Sequence, residues 1–216
     1  MKFFNLLLMA IALLLLGACG NQENKQTKAT LVKPKATERV AVFAGGCFWG
    51  IQEGFSELKG VIKATSGYTG GTKENPTYEE VGTEQTGHAE AVQVIYDPNT
   101  ISFEQLTHAF FVMHNPTELN KQGPDVGTSY RSMAFYANDE ERKVIEREIK
   151  KVNETKYIGL TVVTEVKPLT TFYPAENYHQ NYVRLHPNEA YVQGVCGPKV
   201  EKLRAAMPEL LKEEFK

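Results

Sequence analysis

Cys47 stands in Gly45-Gly46-Cys47-Phe48-Trp49-Gly50, where an apolar run breaks at two glycines and a helical spacing begins. A thiol at such a junction can serve as a nucleophile. The glycines let the backbone turn sharply and leave the sulfur approachable from one side. Free N–H groups at a helix start favour a thiolate over a thiol. Phe48 and Trp49 are an odd choice beside bulk water and fit the wall of a pocket for an uncharged, methyl-sized group. The same residues also read as a buried cysteine among core aromatics; the flanking glycines favour the nucleophile. Glu90, between Ala89 and Ala91 at the start of an apolar strand, is compatible with a buried carboxyl and otherwise reads as an edge carboxylate in water. Cys196, in Gly194-Val195-Cys196-Gly197, is either a redox partner for Cys47 or a bystander, and the two thiols could also form a structural disulfide. Cys47 with His179 and nearby Asn177 is the residue set of a Cys-His hydrolase as well, although Glu176 and His179 fall one helical turn apart and suit a structural histidine. The thiols and histidines show no ligand-like pairing for zinc. No Gly-x-Gly-x-x-Gly or Cys-x-x-Cys pattern points to a nicotinamide or flavin.

The elements that must position these groups follow from hydrophobic periodicity. Residues 40–44 predict a buried strand. Phe48, Ile51, Phe55 and Leu58 give a helix that Gly60 ends. Residues 61–66 predict a second strand, residues 67–87 a long polar and glycine-rich loop, and residues 91–96 a central strand stopped by Asp97-Pro98. Ser102 caps a helix carrying Phe103, Leu106, Phe110 and Met113, with Gln105 placed for a capping box. Residues 115–129 form a second irregular stretch. Residues 131–137 predict a strand, Asn138 caps a helix that ends near Val152, and residues 160–166 alternate as another strand. From Phe172 on come a short aromatic-rich helix, a coil and a last amphipathic piece through Val200, Leu203 and Met207. The expected fold class is α+β: a single two-layer α/β sandwich with a mixed sheet, helices packed on it, long loops and a coiled C-terminal tail. Long loops in a compact domain carry function more often than structure.

The first twenty residues differ in kind. Lys2 precedes an apolar run over residues 6–16 that is short for a bilayer span and ends in Gly17-Ala18, as a secretory signal does. Leu16-Gly17-Ala18-Cys19 further resembles the lipobox of bacterial lipoproteins, which makes Cys19 the lipidated new N-terminus. Residues 1–18 are therefore expected to be a lipoprotein signal peptide, residues 19–37 a flexible tether rich in Asn, Gln, Lys and Thr, and residues 38–216 one catalytic domain, in a protein exported and anchored in the bacterial cell envelope. The chain has 216 residues, with 24 Lys and Arg against 26 Asp and Glu and a net charge of -2. Basic residues are scattered rather than striped, so nothing favours nucleic acid. A small molecule or a protein side chain is the better partner.

Gly46-Cys47-Phe48-Trp49-Gly50 resembles the active-site motif of the A-type peptide methionine sulfoxide reductases. The likeness continues in order through Ser66-Gly67-Tyr68-Thr69-Gly70-Gly71, Asn75-Pro76-Thr77-Tyr78, Thr86-Gly87-His88-Ala89-Glu90-Ala91-Val92, Gly127-Thr128-Ser129-Tyr130-Arg131-Ser132 and Ala175-Glu176-Asn177-Tyr178-His179-Gln180. The resemblance implies thiol-dependent reduction of methionine-S-sulfoxide in peptides or proteins. Cys47 attacks the sulfoxide sulfur and is left as a sulfenic acid. Glu90, kept protonated by an apolar pocket, supplies the proton for the departing oxygen. Phe48 and Trp49 wall the pocket, Tyr78 and Tyr130 hold the sulfoxide oxygen, and Asp125 helps arrange the site.

Cys196, in a coil that could swing to Cys47, then makes a disulfide that thioredoxin or another dithiol opens. Tyr191 is followed by Val192 where many relatives carry the cysteine. Asn115-Pro116 replaces a frequent Asp-Pro, and Ser129 stands where many have Gln; only adjusted loop contacts are expected. No bound metal or cofactor is implied, and a monomer is expected. Two rivals keep their tests: an acyl thioester on Cys47 would mark a hydrolase using His179, and a static Cys47–Cys196 brace would mark a non-catalytic surface lipoprotein.

Overall fold

The computed structural model describes residues 27–216, so the expected signal peptide and Cys19 lie outside the described residues. Strand β1 (Arg39–Gly45) runs through the middle of a six-stranded sheet of order β7 (Glu165–Pro168), β6 (Ser132–Tyr136), β1, β3 (Ala89–Tyr96), β2 (Val61–Thr69), β8 (Tyr173–Pro174). It alternates between two buried faces. Ala41 and Phe43 join the main core, while Val42 and Ala44 join a second cluster with Ala89, Ala91, Met133 and Phe135 on the opposite face. Gly46, at φ +79°, breaks the strand, and α1 (Phe48–Ser56) begins two residues later. Strand β2 (Val61–Thr69) follows the turn at Gly60, and a short α2 (Tyr78–Gly82) opens on a Thr77–Glu80 capping box. Strand β3 (Ala89–Tyr96) pairs antiparallel with both β1 and β2.

Helix α3 (Phe103–Met113) starts at the predicted Ser102–Gln105 capping box. A two-strand hairpin of β4 (Lys121–Gln122) and β5 (Asp125–Val126) precedes β6 (Ser132–Tyr136), antiparallel to β1. Asn138 caps α4 (Asp139–Thr155), whose first turn carries three carboxylates that suit the helix dipole. Strand β7 (Glu165–Pro168) then pairs parallel with β6, which makes the sheet mixed. Strand β8 (Tyr173–Pro174), the single-turn α5 (Tyr182–Leu185), a π-helical turn over Val192–Cys196 and α6 (Gly197–Ala206) complete the chain. Helices α1, α3, α4 and α6 pack together on one side of the sheet. There Phe43 stacks on Phe55, Phe103 and Phe110 at ring distances of 5.0 to 5.9 Å. Full burial of each such ring contributes about 1.5–3 kcal/mol, enough for this cluster to hold the strand that leads into Cys47 against α1.

The α+β sandwich is as expected, but four stretches differ from their sequence reading. The first long loop is shorter, because residues 67–69 continue β2 and residues 78–82 are helical. The alternating residues 160–164 find no strand partner: β6 is only five residues long and meets its neighbour from Glu165 onward, which leaves Leu160 59 % exposed. The C-terminal stretch around Cys196 is helical rather than coiled. Finally, residues 27–29 of the expected tether lie on the domain, with Ala29 N–H bonded to Ala175 O and Asn177 N–H to Thr27 O. Among the described residues, no helix is long and apolar enough to cross a membrane.

Candidate active site

Because β1 and β3 are antiparallel neighbours, with Phe43 opposite Val92, the C-terminal end of one meets the N-terminal start of the other. That places Cys47 and Glu90 side by side. Glu90 is 3 % exposed, and its Oε2 accepts a hydrogen bond from Phe48 N–H at 3.0 Å. Burial first, and then the neighbouring Cys47, push its carboxyl well above the usual carboxylate range. The single Phe48 N–H bond opposes this shift without cancelling it. The shift favours the protonated carboxyl, the form that can donate a proton.

Cys47 is the residue before α1 and is 5 % exposed. Burial raises its thiol pKa, as does its hydrogen bond to Cys196, while the Lys199 charge and the Trp49 N–H lower it. Cys196, fully buried at the end of the π-helical turn, is already within hydrogen-bonding reach of Cys47; no swing of the chain is required. Its own pKa is lowered, chiefly by the hydrogen bond from Cys47. Gly50 explains the approach. A Cβ there would meet the Cys196 Cα and carbonyl at 3.2 Å, tighter than an ordinary contact, so glycine lets α1 lie this close to the π-helical turn without displacing it. Both thiols are free.

Cys47, Phe48, Trp49, Tyr78, Glu90, Asp125 and Tyr130 line one cavity of about 290 Å³, together with Glu189 and Tyr191. Every expected substrate-binding residue thus converges there, and Cys196 lies behind Cys47. Tyr78 sits at the start of α2, where its N–H bonds to Glu176 Oε1 at 3.3 Å. Tyr130 ends a short turn tied to Glu84, whose carboxylate accepts from Ser129 N–H at 2.9 Å and Ser129 Oγ at 2.6 Å. Ser129 therefore anchors its loop rather than facing the cavity. Burial raises both phenols, Tyr78 to about 12, so each hydroxyl remains a donor. Asn115 is likewise structural, its backbone N–H and C=O clasped by the Gln122 amide at 3.0 and 2.9 Å.

Trp49 is held on three sides. It stacks on Tyr182 at 3.7 Å, meets Tyr191 edge-on, and its Nε1–H donates to His179 Nδ1 at 3.1 Å. His179 is therefore an acceptor for the indole, with burial lowering its pKa to about 4. It does not line the cavity with Cys47, so the Cys-His hydrolase constellation is not assembled. Among the described residues, no cluster of three or more metal-ligating side chains forms.

Three contributors escaped the sequence. Tyr191 donates to Asp125 Oδ2 at 2.6 Å and also reaches Cys47, with a raised phenol pKa. Tyr68, cross-strand from Glu90, bonds Glu176 Oε2 at 2.9 Å and packs on Phe48. Lys199 is buried, with its Nζ 3.4 Å from Cys47 O. Nothing in the local spacing around these residues sets them apart; only their convergence does.

The chain is similar to known proteins in sequence and in backbone. The model of the peptide methionine sulfoxide reductase family matches residues 39–210. The peptide methionine sulfoxide reductase MsrA of Nautilia profundicola is 52% identical over 162 residues, which cover 75% of this chain and 92% of that protein. That of Pasteurella multocida is 49% identical, covering 80% and 98%. The crystal structure of reduced Mxr1 from Saccharomyces cerevisiae superposes with a TM-score of 0.69 at 31% identity, covering 76% of this chain and 94% of that one. Methionine sulfoxide reductase A of Corynebacterium diphtheriae gives 0.65 at 29%, covering 77% and 91%. Matched in sequence over nearly the whole described domain and in the course of its backbone, this chain belongs to the peptide methionine sulfoxide reductase family.

Proposed function

We propose that this protein reduces methionine sulfoxide in peptides and proteins to methionine, and that it acts on the S epimer at sulfur. The observation that carries the mechanism is the meeting of Cys47 with a dry, protonated Glu90 across an aromatic-walled cavity. The substrate methyl group lies against Phe48 and Trp49, and the sulfoxide oxygen accepts hydrogen bonds from Tyr78 and Tyr130. Cys47 attacks the sulfoxide sulfur while Glu90 protonates the oxygen. The S–O bond breaks as the Cys47–substrate S–S bond forms, and the oxygen leaves as water. Water then attacks the Cys47 sulfur, the S–S bond breaks, methionine leaves reduced by two electrons, and Cys47 is left as a sulfenic acid. Cys196 then attacks Cys47, expelling water and forming a disulfide. A dithiol opens that disulfide and takes its place as the oxidised partner.

Thioredoxin suits the last step. A relative, Mxr1 of Saccharomyces cerevisiae, has been crystallised with Trx2. Lys2, the apolar run to Leu16 and Leu16-Gly17-Ala18-Cys19 further support export, lipidation at Cys19 and anchoring in the cell envelope. Fatty-acid labelling of the wild type but not of Cys19→Ala tests the anchor. For the reaction, the two separated epimers of a methionine sulfoxide peptide are offered to the full chain with dithiothreitol. Consumption of the S epimer alone is expected, and consumption of neither would overturn the assignment.

A further inference from the structure

Lys199 is the charged residue that the reaction as described leaves without a task. It lies in the first turn of α6, three residues after Cys196, and is only 6 % exposed. Its Nζ hydrogen-bond partners among the described residues are two backbone carbonyls, Gly45 O at 3.5 Å and Cys47 O at 3.4 Å. No carboxylate there pairs with it. An ammonium held out of water by two long hydrogen bonds to neutral oxygens is under-compensated, and such a charge persists only where an anion completes its surroundings.

The nucleophile motif makes room for this side chain. A Cβ at Gly46 would first strike Gln122 Cβ and Cγ, at 2.4 and 2.6 Å, and would stand 3.3 Å from Lys199 Nζ, while one at Gly50 would stand 3.1 Å from Lys199 Cδ. Both glycines of Gly46-Cys47-Phe48-Trp49-Gly50 thus flank the slot through which the lysine reaches under the cysteine.

We propose that Lys199 is the counter-ion of the Cys47–Cys196 thiol pair and a positioning residue for both chemical steps, an inference that rests on the reductase reading above. The pair shares protons through its own hydrogen bond, and the lysine charge favours the state in which one sulfur is a thiolate. That thiolate is needed on Cys47 when the sulfoxide is attacked and on Cys196 when the sulfenic acid is resolved. The other groups facing the pair do not supply this charge. Glu90 from β3, Asp125 from β5, Tyr78 from α2, Tyr130, Glu189 and Tyr191 are carboxyls and phenols, which carry no positive charge. His114, the residue after α3 and close enough for Lys199 to act on it, is buried, which lowers its pKa to about 3.

The test is thiolate absorbance of the full chain as a function of pH, for the wild type, Lys199→Met and Lys199→Arg. Lys199→Met is expected to raise the titration midpoint of the pair by about one pH unit or more, as loss of a close opposite charge does. Lys199→Arg is expected to hold it within a few tenths. In kcat/KM profiles both the thiolate limb and the Glu90 limb should move to higher pH in Lys199→Met, because the same charge also lowers the Glu90 carboxyl. A folded Lys199→Met that titrates at the wild-type pH overturns the proposal. Where Lys199→Met does not fold, a rise in Lys199→Arg overturns it equally. The absorbance needs no substrate, so failure to reduce sulfoxide with the shift intact would sink the reductase reading alone.

Discussion

The Oε2 atom of Glu90 lies 3.0 Å from the backbone nitrogen of Phe48, the residue that follows Cys47. This one bond aims a carboxyl from the centre of the sheet at the cysteine without ionising it. A carboxylate stabilised by several N–H groups would be a poor acid; a nearly fully buried one with a single N–H partner keeps its proton. The relationship yields predictions that separate catalysis from stability.

Cys47→Ser should fold and reduce nothing, because a hydroxyl lacks the sulfur chemistry of the first step. Glu90→Gln should lose roughly 10²–10⁴-fold in kcat/KM, the range for removal of a general acid. Epimer consumption followed by chromatography measures both.

Glu90→Gln should also change stability with pH. The folded carboxyl titrates above its unfolded value, so folding takes up a proton between the two values. Wild-type stability from this group is therefore present at low pH and lost as pH rises through the raised value, by up to about 1.4 kcal/mol per pH unit. Gln removes that loss. Urea unfolding of both proteins across the neutral range should show the variant gaining on the wild type as pH increases.

Cys196→Ser should complete one turnover and then stall with thioredoxin as reductant. In the wild type, one equivalent of substrate without reductant should produce a Cys47–Cys196 disulfide by mass spectrometry. A stable sulfenic acid on Cys47 in that experiment would remove Cys196 from the cycle.

Tyr130→Phe and Tyr78→Phe delete one hydroxyl each at the cavity. Each should lower kcat by roughly 10–100-fold with KM changed little, since the bond strengthens as negative charge builds on the departing oxygen. An unchanged kcat in both would show that neither phenol holds the substrate.

Arg204 clamps the fully buried Glu57 through bonds of 2.6 and 2.8 Å, joining α6 to the end of α1. Arg204→Met leaves that carboxylate unpaired. The expected cost is about 2–3 kcal/mol, below the ~3–5 kcal/mol of a fully buried pair because Arg204 is partly in water. Thermal denaturation reads it directly.

Local order was largely legible in the residues. Periodicity located β1, α1 and α3, and the Ser102 and Asn138 caps stand where their side chains predict. Each of these depends on contacts within a few residues or on a single buried face. The unpaired alternation at residues 160–164 shows the limit of that reasoning, because a strand exists only beside a partner, and β6 was too short to provide one. Cys196 shows the same limit. Two glycines suggested a mobile coil, whereas packing against Gly50 makes the stretch helical.

By itself, then, the sequence marked Cys47, Glu90, Phe48, Trp49, Tyr78 and Tyr130 as candidates, because residue type and local motif can be read without neighbours. Tertiary structure decided that Glu90 keeps its proton, that Tyr191 and Tyr68 belong to the site, that His179 serves Trp49 rather than Cys47, and that Lys199 lies beneath both thiols. Protonation and partnership depend on burial and on contacts between residues far apart in the chain. Such distances close only when strand β1 is laid between β3 and β6 and the C-terminal helix comes to rest against α1.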